Sequence, residues 1–318
     1  MTLITQAGLN QDIERFLAFK RALGFRYGRA EFTLRAFERF VIQRAGQAHR
    51  VALDDMIARW LARRTGCKPV TLALEFGVIR QFCLYRQRHS PGSFVPDRTW
   101  GSQATKSHFL PHVLSNHEVL ALLRAAQSHP GRNISSAMLR ALLLTLYCTG
   151  LRLGEAARLQ LEDVDLRRNL FNVRESKGKT RFVPFGCDLA SELSGYLRVR
   201  KQLDAEHDAF FVRRCGQPLL VHHASQAIRR LLRHLGFKPS TGRTGPRPYD
   251  LRHTFAVHRL TQWYQDGADI HARLPWLSAY MGHDNVLGTE TYLNATPELI
   301  AVASERFERR VRTARTKR

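Results

Sequence analysis

Four short stretches in the second half of the chain carry side chains that can bind and act on an anionic group. An arginine guanidinium stays charged and binds oxyanions through a planar fork of donors. Lysine and histidine can transfer protons, and tyrosine can act as a nucleophile. Each stretch alone is typical of capping, solvated or core residues. The presence of all four, in this order, favours a shared function. They contain Arg152 in TGLRLGE, Lys177 in SKGK, Arg252 in YDLRHTF, and His283 in MGH, with Tyr292 nine residues later.

The overall charge indicates a polyanionic partner. The 318 residues include 50 Lys and Arg but only 27 Asp and Glu, which gives a net charge of +23 with neutral histidines. So large an excess of positive charge favours binding to nucleic acid. A hydrophobic content of 44% is typical of a globular protein, and the length allows two domains, each with its own core.

With these motifs, the second half of the chain resembles the tyrosine recombinases, the phage integrase group that includes Xer-, Cre- and lambda-type enzymes. The likeness covers about residues 113–305 and rests on the boxes TGLRxxE, LRHTFA and GH followed by a tyrosine. The first part of the chain matches the family's core-binding domain more loosely, by length and pattern. The resemblance implies a site-specific DNA recombinase or integrase of a mobile element or phage, which works without a cofactor or a metal ion.

The family's chemistry implies a role for each of these residues. In this family a tyrosine oxygen attacks a DNA phosphate, which leaves a 3′-phosphotyrosine and a free 5′-hydroxyl. The resemblance implies that Arg152 and Arg252 bind the nonbridging oxygens, where negative charge gathers in the transition state. It further implies that Lys177 protonates the leaving oxygen, that His283 hydrogen-bonds a nonbridging oxygen, and that Tyr292 is the nucleophile.

The stretch around Arg252 departs from the family pattern at one position. The family usually has H-x-x-R, and Tyr249 stands where that histidine would be. A histidine titrates near neutrality and can relay a proton, whereas a tyrosine titrates near about 10. Tyr249 is therefore expected to donate a hydrogen bond to the phosphate without acting as a base. His253 follows Arg252 directly and is expected to face elsewhere on the helix as a structural residue. Glu155 is expected either to orient Arg152 or to support the TGLRxxE box.

Helices and one hairpin are predicted to position these residues. The predicted fold class is mainly α, with an N-terminal helical core-binding (SAM-like) domain and a mixed α+β catalytic domain that contains a small antiparallel sheet. Alternating residues on both sides of Lys177 predict a β-hairpin with this lysine at its tip. An amphipathic helix over Pro297–Val311 is expected either to dock on a neighbouring protomer in a DNA-bound homotetramer or to fold back on its own core. The other helices predicted in this half lie near 119–126, 137–148, 151–159, 189–203, 224–235 and 249–265.

Residues 1–92 are predicted to form a small helical DNA-binding domain with a basic exterior, from four apolar stripes at helical spacing. Residues 93–112 contain proline and glycine without periodicity, which predicts an extended linker before a catalytic domain over 113–318. The two domains are expected to grip opposite faces of double-stranded DNA. The candidate phosphate contacts are Arg21, Arg26, Arg29, Arg63, Arg64, Lys68, Arg80 and Lys106.

Several other classes of protein are excluded by the sequence. No apolar run is long enough to span a bilayer, and the N-terminus has no secretory signal, so a cytoplasmic, nucleoid-associated protein is expected. Five widely spaced cysteines favour free thiols over a disulfide framework, and neither they nor the histidines show metal-ligand spacing.

Two rival functions stay open. A type IB topoisomerase-like enzyme would use the same chemistry to relax DNA, although the motifs and the short linker favour recombination. A DNA-binding accessory subunit would act alongside partner recombinases or DNA-bending proteins, and only Tyr249 supports this alternative.

Overall fold

The computed structural model describes residues 3–46, 48–63, 69–101, 111–129, 131, 133–176, 179–203, 205–242, 244–290, 292–293 and 304. The chain separates into two compact units, residues 1–109 and 110–318. Four of the predicted site residues lie outside the described residues, namely Arg64, Lys68, Lys106 and Lys177.

The described part of the first unit contains four α-helices and a two-stranded ribbon. Its elements are β1 (Leu3–Ile4), α1 (Gln6–Ala22), α2 (Gly28–Ala45), β2 (Val51–Ala52), α3 (Leu53–Ala62) and α4 (Pro69–His89). The two strands pair antiparallel, with Leu3 opposite Ala52. The Thr5 hydroxyl accepts a hydrogen bond from the Gly8 N–H (3.0 Å) and caps α1. Pro69 opens α4, where a missing N–H removes no helical hydrogen bond. The four predicted helices are confirmed.

Aromatic side chains fill the core of the first unit. The Phe16 ring lies 5.8 Å from the Phe82 ring, and the Phe37 ring lies 5.5 Å from the Trp60 ring. Phe94, which follows α4, packs against the same core. The beginning of the segment predicted to be an extended linker is therefore packed on the helices of this unit.

The described part of the second unit contains eight α-helices and a three-stranded sheet. Its elements are α5 (Asn116–Gln127), α6 (Ser136–Thr149), α7 (Leu153–Ala157), β3 (Val164–Asp165), β4 (Leu170–Ser176), β5 (Lys179–Pro184), α8 (Cys187–Arg200), α9 (Val221–His234), α10 (Asp250–Gln265), α11 (Ile270–Met281) and α12 (Leu287–Glu290). The strands are antiparallel in the order β3-β4-β5, with Phe171 opposite Val183. The predicted hairpin and the mainly helical fold class are confirmed.

Helix α11 is not predicted by the sequence pattern, because Pro275 stands inside it. A proline in a helix interior costs about 3 kcal/mol. Leu274, Leu277 and Met281 are nevertheless buried in one small core with residues of α10 and with Tyr292. This packing outweighs the proline, and it fixes the end of α11 beside the predicted nucleophile.

The predicted helix Pro297–Val311 lies outside the described residues, apart from Ser304, which is helical. No helix in the described part of the chain is long and apolar enough to cross a membrane.

Candidate active site

The turn after α6 presents Arg152. Gly150 ends α6 in the left-handed region at φ 62°, and a Cβ at this position would collide with the Phe255 ring, so glycine is required. The Arg152 N–H donates to Glu155 Oε2 (2.9 Å), and its side-chain Nη1 donates to Glu155 Oε1 (2.7 Å). Its Nη2 donates to the Gly282 carbonyl (3.0 Å), just beyond α11. The expected contact between Glu155 and Arg152 is confirmed.

Arg252 is almost fully buried, with 1% of its surface exposed. Its Nη1 donates to the Gly150 carbonyl (2.6 Å) and its Nη2 to the Met281 carbonyl (2.7 Å). These carbonyls lie at the C-terminal ends of α6 and α11, where helix carbonyls lack partners within the helix. The Arg252 Nε has no hydrogen-bond partner in the described part of the chain. Burial and the charge of Arg152 lower the pKa of Arg252, although a guanidinium still stays charged at neutral pH.

Tyr292 lies between two histidine rings in the core shared by α10 and α11. It is 3% exposed, and its ring centroid is 5.3 Å from that of His253 and 6.0 Å from that of His283. The His283 Nδ1 is 2.7 Å from the Thr289 hydroxyl, which fixes the imidazole. Burial raises the pKa of Tyr292, and the positive charge of Arg252 opposes this shift. The phenol is therefore protonated at neutral pH.

His253, which is expected to be a structural residue facing elsewhere from Arg252, packs its ring against the site. Residues four apart share one face of a helix, and the His253 ring lies 4.9 Å from the Tyr249 ring as well as against Tyr292. The spacing of Tyr249 and His253 could have shown this from the sequence. Burial lowers the pKa of His253 to about 4, so the imidazole is neutral at physiological pH. Tyr249 lies at the rim of the site and is 43% exposed.

Strand β5 contributes an arginine that the sequence motifs do not single out. The Arg181 Nη2 donates to Glu155 Oε2 (3.0 Å), and its Nε donates to the Tyr280 carbonyl (2.9 Å). In so basic a chain, neither the residue type nor the alternation of the strand distinguishes Arg181 from a solvated arginine.

Two of the candidate phosphate contacts in the first unit are paired with carboxylates. Arg21 forms an ion pair with Glu31 (2.6 Å), and Arg63 forms one with Glu75 (3.3 Å). The Arg63 guanidinium also packs over the Trp60 ring, 2.8 Å from its centroid. These side chains are therefore already engaged by protein groups.

The other described candidates in the first unit differ in exposure. The Arg80 Nε donates to the Pro96 carbonyl (3.1 Å), and the side chain is partly buried. Arg26 and Arg29 are exposed. Both side chains are therefore in contact with solvent, as is that of Arg21.

Helix α9 carries two adjacent exposed arginines on a strongly amphipathic helix. Ala224, Ile228 and Leu231 are buried on one face, whereas Arg229 and Arg230 are exposed. The signal was present in the sequence, as an arginine pair within a strongly amphipathic helix.

The site as a whole is suited to phosphodiester transfer. Two guanidinium groups, an imidazole and a phenol meet at the ends of α6, α10 and α11. Guanidinium groups stabilise charge on phosphate oxygens, and a phenol oxygen can attack phosphorus. The described residues contain no group of three or more His, Cys, Asp or Glu side chains that could hold a metal ion.

The chain matches the profile of the Phage integrase family over residues 112–298. "Putative integrase/recombinase y4rB" of Sinorhizobium fredii is 32% identical over 311 residues, which cover 94% of this chain and 97% of that protein. Tyrosine recombinase XerC of Staphylococcus saprophyticus is 31% identical over 194 residues, which cover 61% of this chain and 60% of that protein. The chain therefore belongs to the phage integrase family of tyrosine recombinases.

Solved structures of this family share the fold. The Tn1549 transposon integrase in complex with transposon right end DNA has a TM-score of 0.67 at 16% identity, over 96% of this chain and 100% of that chain. A lambda integrase dimer bound to a COC′ core site has a TM-score of 0.64 at 17% identity, over 92% and 78% of the two chains. The predicted tyrosine-recombinase fold is confirmed. The protein is a site-specific recombinase, an enzyme that cleaves DNA and transfers the strands.

Proposed function

We propose that Arg152 and Arg252 together bind the scissile DNA phosphate and that Tyr292 attacks it. The observation that carries this proposal is the way in which Arg252 is held. Both of its terminal nitrogens donate to neutral carbonyls, so its positive charge is kept beside the phenol of Tyr292. A fixed guanidinium of this kind stabilises the negative charge that gathers on the nonbridging oxygens.

The proposed reaction is a transesterification. The Tyr292 oxygen bonds to phosphorus as the bond to the 5′-oxygen breaks, which leaves a 3′-phosphotyrosine. Lys177 protonates the departing 5′-oxygen, His283 hydrogen-bonds a nonbridging oxygen, and Tyr249 donates a further hydrogen bond from the rim. Attack by the 5′-hydroxyl of another strand reverses the step. Because the bond energy is kept, the reaction requires neither ATP nor a metal ion.

The site must open before it can bind DNA. Arg252 is 1% exposed and Tyr292 is 3% exposed, so a phosphate reaches the guanidinium only when the residues that cover it move. Tyr292 is held there by ring contacts with His253 and His283. We infer that binding of DNA displaces the segment that carries Tyr292.

Double-stranded DNA is the proposed partner, and exposed arginines of both units are proposed to contact its phosphates. The exposed pair Arg26 and Arg29 belongs to the first unit, and the exposed pair Arg229 and Arg230 belongs to α9. Each phosphate contact releases counterions, so the affinity is expected to fall steeply with salt. The remaining candidates stay predicted contacts, namely Arg21, Arg63, Arg64, Lys68, Arg80 and Lys106.

We further propose that the enzyme belongs to a mobile element and acts on DNA in the cytoplasm, at the nucleoid. The similarity to a transposon integrase supports the first point. The helix predicted over Pro297–Val311 would join four protomers on DNA, where partner recombinases or DNA-bending proteins could also act. Sedimentation of DNA complexes should show a tetramer for the full chain and smaller complexes for a variant that ends after residue 293.

The test of the chemistry is an SDS-resistant adduct assay. The protein is mixed, in EDTA, with labelled nicked fragments of the DNA that flanks its own gene, beside a Tyr292→Phe variant. The adduct should form only with Tyr292, while the affinity for DNA stays within about threefold. An adduct in the variant would assign the nucleophile to another residue. Plasmid relaxation without recombinant products would favour the topoisomerase-like alternative, and tight binding without an adduct would favour an accessory subunit.

A further inference from the structure

A buried carboxylate in the second unit is shared by two arginines. Glu155 is 3% exposed, its Oε1 accepts a hydrogen bond from Arg152 Nη1 (2.7 Å), and its Oε2 accepts one from Arg181 Nη2 (3.0 Å). The Arg181 Nη1 is also 3.4 Å from Oε1, so this contact is bidentate. Bidentate arginine–carboxylate pairs fix orientation as well as charge. The position of Arg152 therefore depends on where Arg181 holds the carboxylate.

Arg181 also fixes the turn that follows α11. Its Nε donates to the Tyr280 carbonyl (2.9 Å). A Cβ on Gly282 would lie 2.7 Å from the Arg181 guanidinium, so the backbone of this turn is in close contact with it. The Gly282 carbonyl accepts the hydrogen bond from Arg152 Nη2 (3.0 Å), and His283 is the next residue. Arg181 thus contacts both of the groups that hold Arg152, the carboxylate and this turn.

Arg181 is not placed to bind DNA itself. Each of its three nitrogens donates to a protein acceptor, and its side chain is 13% exposed. Its effect on the reaction must therefore pass through the residues that it holds.

We propose that Arg181 is a positioning residue that aligns Arg152 and His283 for the DNA phosphate, because it holds Glu155 and the turn after α11 from strand β5. This inference rests on the proposed roles of Arg152 and His283. An alternative is that Arg181 acts through Lys177, which stands four residues earlier in the hairpin. The contacts of Arg181 favour an effect through the phosphate-binding residues, since in the described part of the chain its side chain donates only to Glu155 and to the end of α11.

Two substitutions separate charge from geometry, and a third serves as a control. Arg181→Met removes the charge and every donor at a similar length, whereas Arg181→Lys keeps the charge but not the planar fork. Arg174→Met is the matched control, because Arg174 lies on the neighbouring strand β4. It is 46% exposed and is ion-paired with Glu162 (2.9 Å) and Asp163 (2.6 Å).

The measurement is the rate of adduct formation on a nicked substrate, with DNA affinity measured in parallel. One substrate has the ordinary 5′-oxygen leaving group, and the other has a 5′-thiolate, which leaves without a general acid. Arg181→Met should cleave both substrates about 100-fold more slowly, with affinity within about threefold, because misplaced groups lose alignment. Arg181→Lys should lose only about tenfold. The Arg174→Met control should stay within about threefold.

Three results would overturn the inference. A wild-type rate in Arg181→Met would remove any positioning role. Recovery of that variant on the thiolate substrate alone would show that Arg181 acts through Lys177. The double variant Glu155→Gln/Arg181→Met removes the buried carboxylate charge that has lost one of its two arginine partners, and it should regain the wild-type melting temperature while it still cleaves slowly. Recovery of both properties would reduce Arg181 to a structural ion pair.

The failure of the proposed function would look different. An adduct that persists in Tyr292→Phe would refute the assigned nucleophile, whatever the Arg181 variants do.

Discussion

The two units of this recombinase hold their arginines in different ways. In the second unit, Arg252 donates to two backbone carbonyls and is 1% exposed. In the first unit, Arg21 is ion-paired with Glu31, and Arg63 with Glu75. A neutral carbonyl satisfies the donors of a guanidinium but leaves its charge uncompensated, whereas a carboxylate cancels most of that charge. Arg252 thus keeps a charge that can meet an anion, whereas the charges of Arg21 and Arg63 are largely compensated. Arg152 stands between these cases, because it shares the Glu155 carboxylate with Arg181.

The difference in burial also makes the buried arginine of the second unit better suited to bind an anion than the exposed arginines of the first. Once the residues that cover it have moved, a fixed guanidinium requires little reorganisation of its own when a phosphate arrives. An exposed arginine must give up side-chain entropy, and its attraction to a phosphate is screened by salt. The effect of a substitution is therefore expected to decrease from the buried residues of the second unit to the surface of the first.

Among the arginine substitutions, the largest effect is expected for Arg252→Lys. A lysine keeps the charge, but its donors radiate from a single nitrogen and do not reproduce the planar fork that spans the Gly150 and Met281 carbonyls. Single-turnover adduct formation should fall about 1000-fold, the loss typical of a displaced transition-state donor. The matched control is Arg140→Lys on α6, since Arg140 pairs with the Glu192 carboxylate (2.5 Å) and should change the rate by less than about threefold. Equal losses in both variants would contradict the distinction between carbonyl-held and carboxylate-held arginines.

Burial in the same site should also appear in the pH dependence of stability. The pKa of His253 is lowered to about 4, chiefly by burial and further by the charges of Arg247 and Arg252, while Asp250 opposes the shift. An unfolded histidine titrates near about 6.5. The unfolded state therefore binds more protons between these values, and stability is lost as the pH falls from about 6.5 to about 4.

His253→Phe keeps a ring against Tyr292 and removes the titrating group. The change in unfolding free energy between pH 7 and pH 5 should therefore be smaller in the variant, by about 1–2 kcal/mol after allowance for partial solvent access. Denaturant unfolding of both proteins at the two pH values measures this difference. An identical pH dependence would show that His253 is not buried as described.

Side-chain types and their spacing identify much of this site from the sequence, but not the groups that hold it together. Arg152, Arg252, His283 and Tyr292 stand in specific motifs, and the structure brings them together. Arg252 is held by backbone carbonyls at helix ends, and such atoms have no sequence signature. The helix that supplies Met281 is also hidden, because it contains a proline that only tertiary packing compensates.

The orientation of His253 could have been predicted from the sequence, whereas the contact of Arg181 could not. The direction of His253 was accessible from its spacing of four residues to Tyr249, since such residues share a helix face. The contact of Arg181 with Glu155 was not, because it joins a strand to a helix that lies 26 residues earlier in the chain. Local patterns report which face a residue occupies, but they do not report which distant residue meets it.

A smaller effect is expected on the surface of the first unit, and it tests the other half of the comparison. Arg29 is exposed, whereas Arg21 is paired with Glu31. Arg29→Gln should weaken DNA binding about fivefold and lower the slope of log affinity against log salt by about one, as expected for one lost phosphate contact. Arg21→Gln should weaken binding about twofold, because its charge is already compensated. Binding titrations at several salt concentrations measure both quantities, and a larger loss for Arg21 would reverse the proposed order.

The smallest effect is expected for Tyr249→His at the rim of the site. Tyr249 is 43% exposed, and its ring lies 4.9 Å from His253, which in turn contacts Tyr292. A histidine at this position would restore the H-x-x-R pattern and could accept the proton of Tyr292, whose pKa is raised by burial. Adduct formation should be unchanged or rise up to about threefold at pH 8, and the gain should vanish as the pH falls below about 6.5, where the imidazole is protonated. A pH–rate profile of both proteins measures this. Tyr249 is far more exposed than Arg252 or Tyr292. An inactive variant would therefore contradict the expected relation between burial and the size of the effect, and it would show that Tyr249 has its own role in the reaction.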